Sequence, residues 1–430
     1  MREMKDSGIE WIGQIPTGWK LRRAKTLFTQ RNSKGNGIEV LLSPTQKYGV
    51  VPQSQLEGVV QVKEDTDLQM FKTLHKGDFV ISLRSFQGGF EYSLYEGVCS
   101  PAYQVFYPTS PICDTYYRYL FKSQSFISKM NNLTVGIREG KNIQYVDFAN
   151  SQIPVPPLAE QERIAVFLNA ECAEIDAVLE KTRASIEEYK KLKQAIITQA
   201  VTKGIRGDRP MKDSGIEWIG DIPAEWRKTQ LRHCAAIKSG ITLGKKYEKT
   251  DSLVERPYLR VANVQDGYVD LSVLTTIEVT QDEDLKYRLR AGDVLMTEGG
   301  DRDKLGRGCV WHGEIEPCLH QNHIFAVQTS KDTLLPEFLE YLTVSDVGRS
   351  YFDVTAIKTT NLACTSSSKV LAFTIPLPSV EEQAEIVEAL NTKCAGIDAL
   401  VAKKQQYLTE IENYKKSLIY EYVTGKKEVV

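Results

Sequence analysis

The amino-acid sequence has no long apolar run and no paired cysteine motif. None of its apolar stretches approaches the twenty residues that a membrane-spanning helix requires, and the N-terminus has no hydrophobic signal region. The eight cysteines are scattered without a CxxC pair, which is typical of reduced thiols rather than of a disulfide framework. The sequence therefore predicts a cytoplasmic protein that makes no contact with a membrane.

Basic charge is not in excess either. The 430 residues carry a net charge of -2, and 42% of them are hydrophobic and 26% charged. These values indicate a multidomain protein with ample core. If the chain binds a nucleic acid, its basic residues must be gathered on one face while acidic residues lie elsewhere.

The sequence also lacks the motifs of nucleotide and methyl-donor binding. It contains no GxGxxG loop and no acidic-Pro-Pro-aromatic motif of the kind that DNA methyltransferases use. The nearest phosphate-loop pattern, GITLGKK at 240–246, is one residue short and ends in lysine where serine or threonine would hold magnesium. We therefore expect no catalytic site and no cofactor, and we interpret this loop as one that lies against nucleic-acid phosphates.

One cluster has two interpretations. Five cysteines and histidines, residues of the types that bind metals, fall within fifteen positions, namely Cys309, His312, Cys318, His320 and His323. They could hold zinc in one part of the chain only, or they could be buried and exposed polar side chains without a metal. We favour the second interpretation, so the sequence predicts no metal site.

What the sequence does contain is an internal repeat. MKDSGIEWIGQIPTGW begins at Met4 and MKDSGIEWIGDIPAEW begins at Met211, with thirteen of the sixteen positions identical. The correspondence continues to IPVP at 153–156 and IPLP at 375–378, while the offset grows from 207 to 222. A growing offset with an unchanged order of motifs indicates a duplicated domain whose second copy has gained loop residues.

Each IPxP motif is followed by an ungapped tract with an apolar spacing of three and four, at 159–201 and 381–423. Such spacing over several heptads predicts a coiled-coil seam, so both tracts are expected to be long helices that end at Gly204 and Gly425. Lys193 and Lys415 occupy matched seam positions. They either set the register or extend their stems along the seam, and we favour the second.

These features predict an α+β protein made of two mixed α/β domains and two long helices. The predicted parts are a first domain at 1–156, a helix at 157–206, a second domain at 207–377, and a helix with a C-terminal tail at 378–430. A two-fold relation between the halves would require the long helices to form an antiparallel coiled coil.

The repeated block, the IPxP motif, the Glu-Gln pair after it and the long helix resemble the specificity subunits of type I restriction-modification systems. The resemblance covers essentially the whole chain. It implies two target-recognition domains that each read one half of a split double-stranded DNA site, and helices that set the gap and dock methyltransferase subunits, two in number. Restriction and translocase subunits would join through the complex. The subunit itself would not be catalytic.

Because the repeated block is nearly identical in both copies, it cannot discriminate two different sequences. We interpret its tryptophans as a structural clasp between domain and helix. Base reading should lie where the copies diverge and where basic or amide side chains occur near glycine. In the first domain these residues are Tyr48, Arg84, Ser85, Gln87, Arg138, Lys141 and Asn142. In the second domain they are Lys245, Lys246, Arg260, Asn263, Arg302, Lys304, Gln321, Asn322, Lys358 and Asn361.

Two other classes of function compete with this interpretation. An enzyme that combines recognition with methylation and cleavage would need motifs for which the repeats leave no room. A scaffold that binds only proteins, with two globular domains on a coiled coil, is harder to separate from a DNA-binding subunit by sequence.

Overall fold

The computed structural model describes residues 2–35, 40–46, 48–56, 68–81, 90–133, 143–248, 252–300, 305–358 and 363–429. The chain divides into two compact units. Met1–Arg183 and Gln406–Val430 form the first unit, and Ala184–Gln405 form the second. Each unit therefore contains one repeat and a part of both long helices.

The first repeat combines short strands with three helices before its long helix. Its strands are β1 (Met4–Asp6), β2 (Gln14–Pro16), β3 (Lys20–Arg23), β4 (Phe28–Arg31), β5 (Leu42–Thr45), β6 (Gly49–Pro52), β7 (Lys72–Leu74), β8 (Phe79–Ile81), β9 (Glu91–Tyr92), β10 (Gly97–Cys99), β11 (Gln104–Pro108) and β12 (Gln152–Val155). The helices are α1 (Asp114–Lys122), α2 (Gln124–Leu133), α3 (Tyr145–Asn150) and the long helix α4 (Leu158–Lys203).

The centre of the first unit is an antiparallel sheet with the strand order β4-β11-β8-β9. Val105 of β11 lies opposite Arg31 on one side and Val80 on the other. Aromatic rings fill the core beneath this sheet, and Phe79 stacks on Phe106 with ring centroids 5.4 Å apart. The first repeat therefore folds around an aromatic cluster.

The second repeat has a similar set of strands and helices before its own long helix. Its strands are β13 (Met211–Asp213), β14 (Asp221–Pro223), β15 (Arg227–Gln230), β16 (Ala235–Ser239), β17 (Leu253–Leu259), β18 (Thr275–Thr280), β19 (Val294–Thr297), β20 (Gly299–Gly300), β21 (Gly308–Val310), β22 (Leu319–His320), β23 (Ile324–Thr329), β24 (Ile357–Lys358), β25 (Ala363–Cys364) and β26 (Thr374–Leu377). The helices are α5 (Gln281–Tyr287), α6 (Pro336–Val344), α7 (Asp346–Thr355), α8 (Ser367–Ala372) and the long helix α9 (Val380–Val423).

The second unit has the equivalent sheet, with the strand order β16-β23-β19-β21. Val327 of β23 lies opposite Ile237 on one side and Val294 on the other. The β17–β18 hairpin, whose first strand also pairs in parallel with β22, has longer strands than the β5–β6 hairpin of the first repeat. The equivalent four-stranded sheets agree with the prediction that the two copies keep one order of elements.

The two long helices have the predicted extent. α4 has 46 residues and α9 has 44, which corresponds to about 65–70 Å each at 1.5 Å per residue. Gly204 and Gly425 follow their last turns with φ of 71°, the left-handed conformation that favours glycine at a helix end.

Within each unit the two helices run antiparallel. In the first unit the rings of Phe167 and Tyr422 are 4.4 Å apart, and Lys415 pairs with Asp176 at 2.6 Å. In the second unit Lys193 pairs with Asp398 at 2.7 Å, and Arg206, just after α4, pairs with Glu385 at 2.8 Å. The numbers rise along one helix as they fall along the other, so the predicted α+β fold with antiparallel long helices is confirmed.

Candidate nucleic-acid interface

The repeated block joins each domain to a long helix through a buried tryptophan. The indole Nε1 of Trp19 donates to Glu160 Oε2 at 2.9 Å, and that of Trp226 donates to Glu382 Oε2 at the same distance. Both tryptophans are 1% exposed, and both glutamates lie in the first turns of α4 and α9. The block is therefore a structural joint between domain and long helix, as predicted.

An arginine completes each joint, and the sequence reasoning missed it. Arg2 lies over the Trp19 ring at 5.4 Å and pairs with Glu160 at 2.5 Å. Arg209 lies over Trp226 at 5.1 Å and pairs with Glu382 at 2.6 Å. The offset of 207 between these arginines equals that of the repeated block, and this was the signal that could have found them.

The glutamine that follows each of these glutamates connects the long helix to the domain. Gln161 accepts from the Cys113 backbone N at 3.0 Å and donates to Pro156 O at 2.9 Å. Gln383 accepts from the Leu335 backbone N at 2.8 Å. Its amide nitrogen donates to Thr333 O at 2.8 Å and to Pro378 O at 3.1 Å. In each repeat, the glutamate therefore holds the repeated block and the glutamine holds the residue before the next helix, α1 in the first repeat and α6 in the second. Both contacts come from one turn of the long helix.

Backbone hydrogen bonds bring the diverged segments of the second repeat together. The loop that contains Lys245 and Lys246 begins at Ile241, whose N donates to His320 O at 2.9 Å and whose O accepts from Asn322 N at 3.1 Å. Gly240 lies so close that a Cβ there would be 2.1 Å from His320 O. The lysine loop is therefore anchored on the turn that bears Gln321 and Asn322.

The same turn continues towards the β24–β25 hairpin. Glu298 N donates to His323 O at 2.9 Å, and Glu298 O accepts from Thr365 N at 2.7 Å. β20 then pairs with β25, and β25 pairs with β24, which ends at Lys358. We name this continuous set of segments, residues 240–246, 298–300, 320–323 and 357–358 with 363–365, the distal face of the second repeat.

Most of the described predicted residues of the second repeat belong to the distal face or border it. Lys245, Lys246, Gln321, Asn322 and Lys358 are carried by its segments. The ammonium of Lys245 pairs with Glu283, whereas Gln321 and Asn322 are half-exposed in the turn. Arg260 adjoins the distal face, because the residue before it, Leu259, accepts a hydrogen bond at its backbone O from Gln321 N at 2.9 Å.

Asn263 requires a correction. It is only 4% exposed, and its amide oxygen accepts from Arg260 N at 2.8 Å. Its amide nitrogen donates to Asp270 O at 2.8 Å and to Val273 O at 2.9 Å. These bonds use the amide to close a loop, so we remove Asn263 from the proposed DNA contacts.

The remaining predicted residues fall in less informative places. In the first repeat Tyr48 is 62% exposed in the turn between β5 and β6. Nine residues lie outside the described residues, in segments that follow β8 or β20 or that precede α3 or β25. These are Arg84, Ser85, Gln87, Arg138, Lys141, Asn142, Arg302, Lys304 and Asn361.

The chain is similar in sequence to known proteins. A family model described as the type I restriction modification DNA specificity domain matches residues 16–188. The specificity subunit of the type I restriction enzyme EcoKI from Escherichia coli K12 is 25% identical over 329 residues, 74% of this chain and 67% of that protein. The MjaVIII specificity subunit from Methanocaldococcus jannaschii is 28% identical over 303 residues, 68% of this chain and 66% of that protein. The chain is therefore similar to specificity subunits of type I restriction enzymes, and its residues 16–188 match the DNA specificity domain of that family.

Solved structures share the fold of this chain. A chain from a study of complex assembly and conformational transition in a type I R-M system superposes with a TM-score of 0.70 at 18% identity, and covers 96% of this chain and 99% of that one. The HsdS subunit from Thermoanaerobacter tengcongensis gives a TM-score of 0.50 at 16% identity, with 99% and 100% coverage.

The relatives also bear on catalysis. Both are named specificity subunits, not methyltransferases or endonucleases, which agrees with the prediction of a non-catalytic chain. The matched segments span about two thirds of each relative's length, 67% and 66%.

The histidine-cysteine cluster does not gather into a metal site. His320 is fully buried with Nδ1 3.0 Å from Ile324 O, and burial lowers its pKa to about 4. His323 pairs instead with Glu298, and the Cys318 thiol lies 3.5 Å from Leu319 O. Among the residues that the structure describes, no group of three or more metal-binding side chains could hold an ion.

Two further expectations concern the helices. Each seam lysine forms an ion pair with an aspartate of the other helix, at positions that correspond in the two units (193 with 398, 415 with 176). This favours the register-setting interpretation over the one that we preferred. Within the described part of the chain, no helix is both long and apolar enough to cross a membrane.

Proposed function

We propose that this chain is the DNA-recognition subunit of a type I restriction-modification complex and that it binds a split double-stranded site. Each repeat reads one half-site through the segments in which the two copies diverge, which in the second repeat form the distal face. The observation that carries this proposal is the contrast between nearly identical joints and divergent distal segments. A protein that must present two different sequence readers on one support needs this combination.

The proposed contacts are those of base and phosphate recognition. Gln321 and Asn322 offer amides that can bind adenine in the major groove, while Lys246 and Lys358 are suited to phosphates. Arg260, Arg302, Lys304 and Asn361 complete the set for the second repeat. Tyr48, Arg84, Ser85, Gln87, Arg138, Lys141 and Asn142 are the proposed set for the first.

The proposed role of α4 and α9 is to set the gap between the half-sites, at about one turn of DNA or roughly 34 Å. Support comes from their length and from the ion pairs that fix their register. Through these helices the chain would dock two methyltransferase subunits, and through them the restriction subunits.

The test is a change in helix length. Seven residues inserted near Ala184 in α4 and seven near Gln405 in α9 add two turns to each helix and preserve the heptad seam. We expect the recognised gap to lengthen by about three base pairs, because seven residues rise by about 10.5 Å. The measurement is the methylated motif in DNA modified by the variant with its methyltransferase.

The control is the same insertion in α4 alone, which shifts at least one of the Lys193–Asp398 and Lys415–Asp176 pairs and should reduce activity without defining a new gap. Altered half-sites with an unchanged gap would contradict the proposed role of the helices.

A scaffold that binds only proteins is the competing function. DNA recognition predicts binding to random duplexes that weakens steeply as salt rises, when the methyltransferase partner is present. No salt-dependent binding would favour the scaffold.

A further inference from the structure

An acidic side chain lies on the distal face of the second repeat. Glu298 follows β19 directly, and its carboxylate Oε2 is 2.5 Å from Nδ1 of His323. The two side chains remain 34% and 54% exposed, respectively. A carboxylate is unfavourable on a surface that faces DNA phosphates unless it has a specific partner there.

The backbone holds Glu298 in a defined position. Its N and O are both bonded, to His323 O at 2.9 Å and to Thr365 N at 2.7 Å, so the residue bridges the turn and the β24–β25 hairpin. The neighbouring residues of the turn, Gln321 and Asn322, are the amides proposed above to read bases. Glu298 is therefore presented by the same rigid backbone as these amides.

The pair is particular to the second repeat. At the offsets of the flanking strands, 215 for β8 and β19 and 221 for β11 and β23, the corresponding residues of the first repeat are Leu83 and Ala102. A joint or brace common to both domains would be expected in both copies, as the Trp-Glu joint is. A residue that reads one half-site would be expected in one copy only.

We propose that Glu298 reads one base pair of the half-site of the second repeat by accepting a hydrogen bond from an exocyclic amino group, cytosine N4 or adenine N6, and that His323 positions its carboxylate. Carboxylates accept from such amino groups in the major groove. Glu298 is a specificity residue and His323 a positioning residue. This inference rests on the proposed function.

The experiment uses the full-length chain with its methyltransferase subunits and a duplex library in which both half-sites are randomised. Wild type should select cytosine or adenine at one position, and the selected base tells the two amino groups apart. In E298A the preference at that position should fall by about tenfold, while other positions are unchanged. E298Q should lose a preference for cytosine but keep one for adenine, because a glutamine amide can accept from adenine N6 while it donates to N7. Binding to random DNA should not weaken in either variant.

The chain offers a matched control. His75 Nδ1 and Glu96 Oε2 form a similar exposed pair at 2.6 Å in the first repeat. That pair lies at the start of β8, whereas Glu298 follows the end of the equivalent strand β19. E96Q should leave base preference unchanged at every position.

For His323, H323N keeps an amide donor near the position of Nδ1 and should retain the preference, whereas H323A should broaden it. A purely structural residue would not show this rescue.

Unchanged base preference in both Glu298 variants would overturn the inference while leaving the proposed function intact. So would an equal loss of preference at all positions, because it would make Glu298 a brace of the domain. If wild type selects no sequence at all, the proposed function fails with it.

Discussion

The two repeats build the same four-stranded sheet from different kinds of side chain. In the first, Phe106 faces Phe79 across neighbouring strands, whereas in the second Val327 faces Val294 in the equivalent register. The joints to the long helices, by contrast, use the same residue types at the same distances. The fold therefore depends on which positions are buried, while the attachment to the helix depends on particular residues.

The divergence extends from the cores to the distal segments. In the second repeat the β17–β18 hairpin has strands of seven and six residues, whereas both strands of the β5–β6 hairpin in the first repeat have four. Duplication followed by divergence thus preserved the part that must fit a long helix. The part that faces away from the joint could change without affecting that fit.

The strongest test of this comparison is to remove the joint in each repeat separately. Trp19→Ala and Trp226→Ala should each destabilise the protein by about 3–5 kcal/mol, the usual cost of truncating a buried aromatic residue. Tryptophan to phenylalanine should cost about 1–3 kcal/mol by leaving a buried glutamate oxygen without its donor. Urea unfolding measures both. Tolerance of the alanine in only one repeat would show that the joints are not equivalent.

A second test uses a pH dependence of stability that is expected from the second repeat and not from the first. Burial raises the pKa of Glu340 to about 8, and the charge of Glu337 adds to the shift. The folded protein keeps this proton, whereas the unfolded chain releases it near the ordinary value of 4.5, so stability is lost as pH rises from about 4.5 to about 8. We expect the free energy of unfolding to fall by an amount on the order of 2 kcal/mol between pH 5 and pH 8.5. Thermal unfolding at a series of pH values measures this change.

The variant E340Q should remove most of this pH dependence, because its amide is neutral throughout. The first repeat has Arg118 at the equivalent position, where its guanidinium lies 4.9 Å from the Tyr92 ring. An unaltered pH profile in E340Q would exclude Glu340 as the source.

A third test concerns the distal face. Lys246→Ala should lower the salt dependence of binding to random duplex DNA by about one unit of slope, as expected for the loss of one phosphate contact. Lys331→Ala is the control. Lys331 follows the end of β23, whereas the turn of the distal face precedes the start of this strand. Equal effects of the two substitutions would mean that the distal face has no special role.

The smallest expected effect concerns the helix register. Lys193→Ala and Lys415→Ala should each cost about 0.2–1 kcal/mol, the range for exposed ion pairs, and the loss should shrink in high salt. Exchanging the charges of Lys193 and Asp398 should recover part of it. A double-mutant cycle without coupling would return both lysines to the interpretation in which only their stems matter.

Much of the fold could be predicted because the sequence states it twice. The heptad spacing placed both long helices to within one or two residues, and Gly204 and Gly425 marked their ends. The repeated block keeps Trp19 and Trp226 in both copies, which indicated a structural role, and the structure confirms it. These inferences needed only local periodicity and the comparison of one copy with the other.

The site was less accessible to sequence reasoning for a physical reason. Whether an amide is available to a ligand depends on bonds to distant backbone atoms, and Asn263 is engaged by residues on three sides. The pairing of Glu298 with His323 joins side chains 25 positions apart, across strands whose register the sequence does not show. The ion pairs of Lys193 and Lys415 likewise required knowledge of the antiparallel register.

Gly240 has a practical consequence for anyone who wishes to give this protein a new target. The backbone on either side of it is wedged against the turn at 320–322, and any side chain there would push the two segments apart. An exchanged loop should therefore begin after Ile241, whose two backbone bonds hold the graft at its root. Beyond that point a graft should keep Lys245 and Tyr247, because both side chains bond to Glu283 of α5.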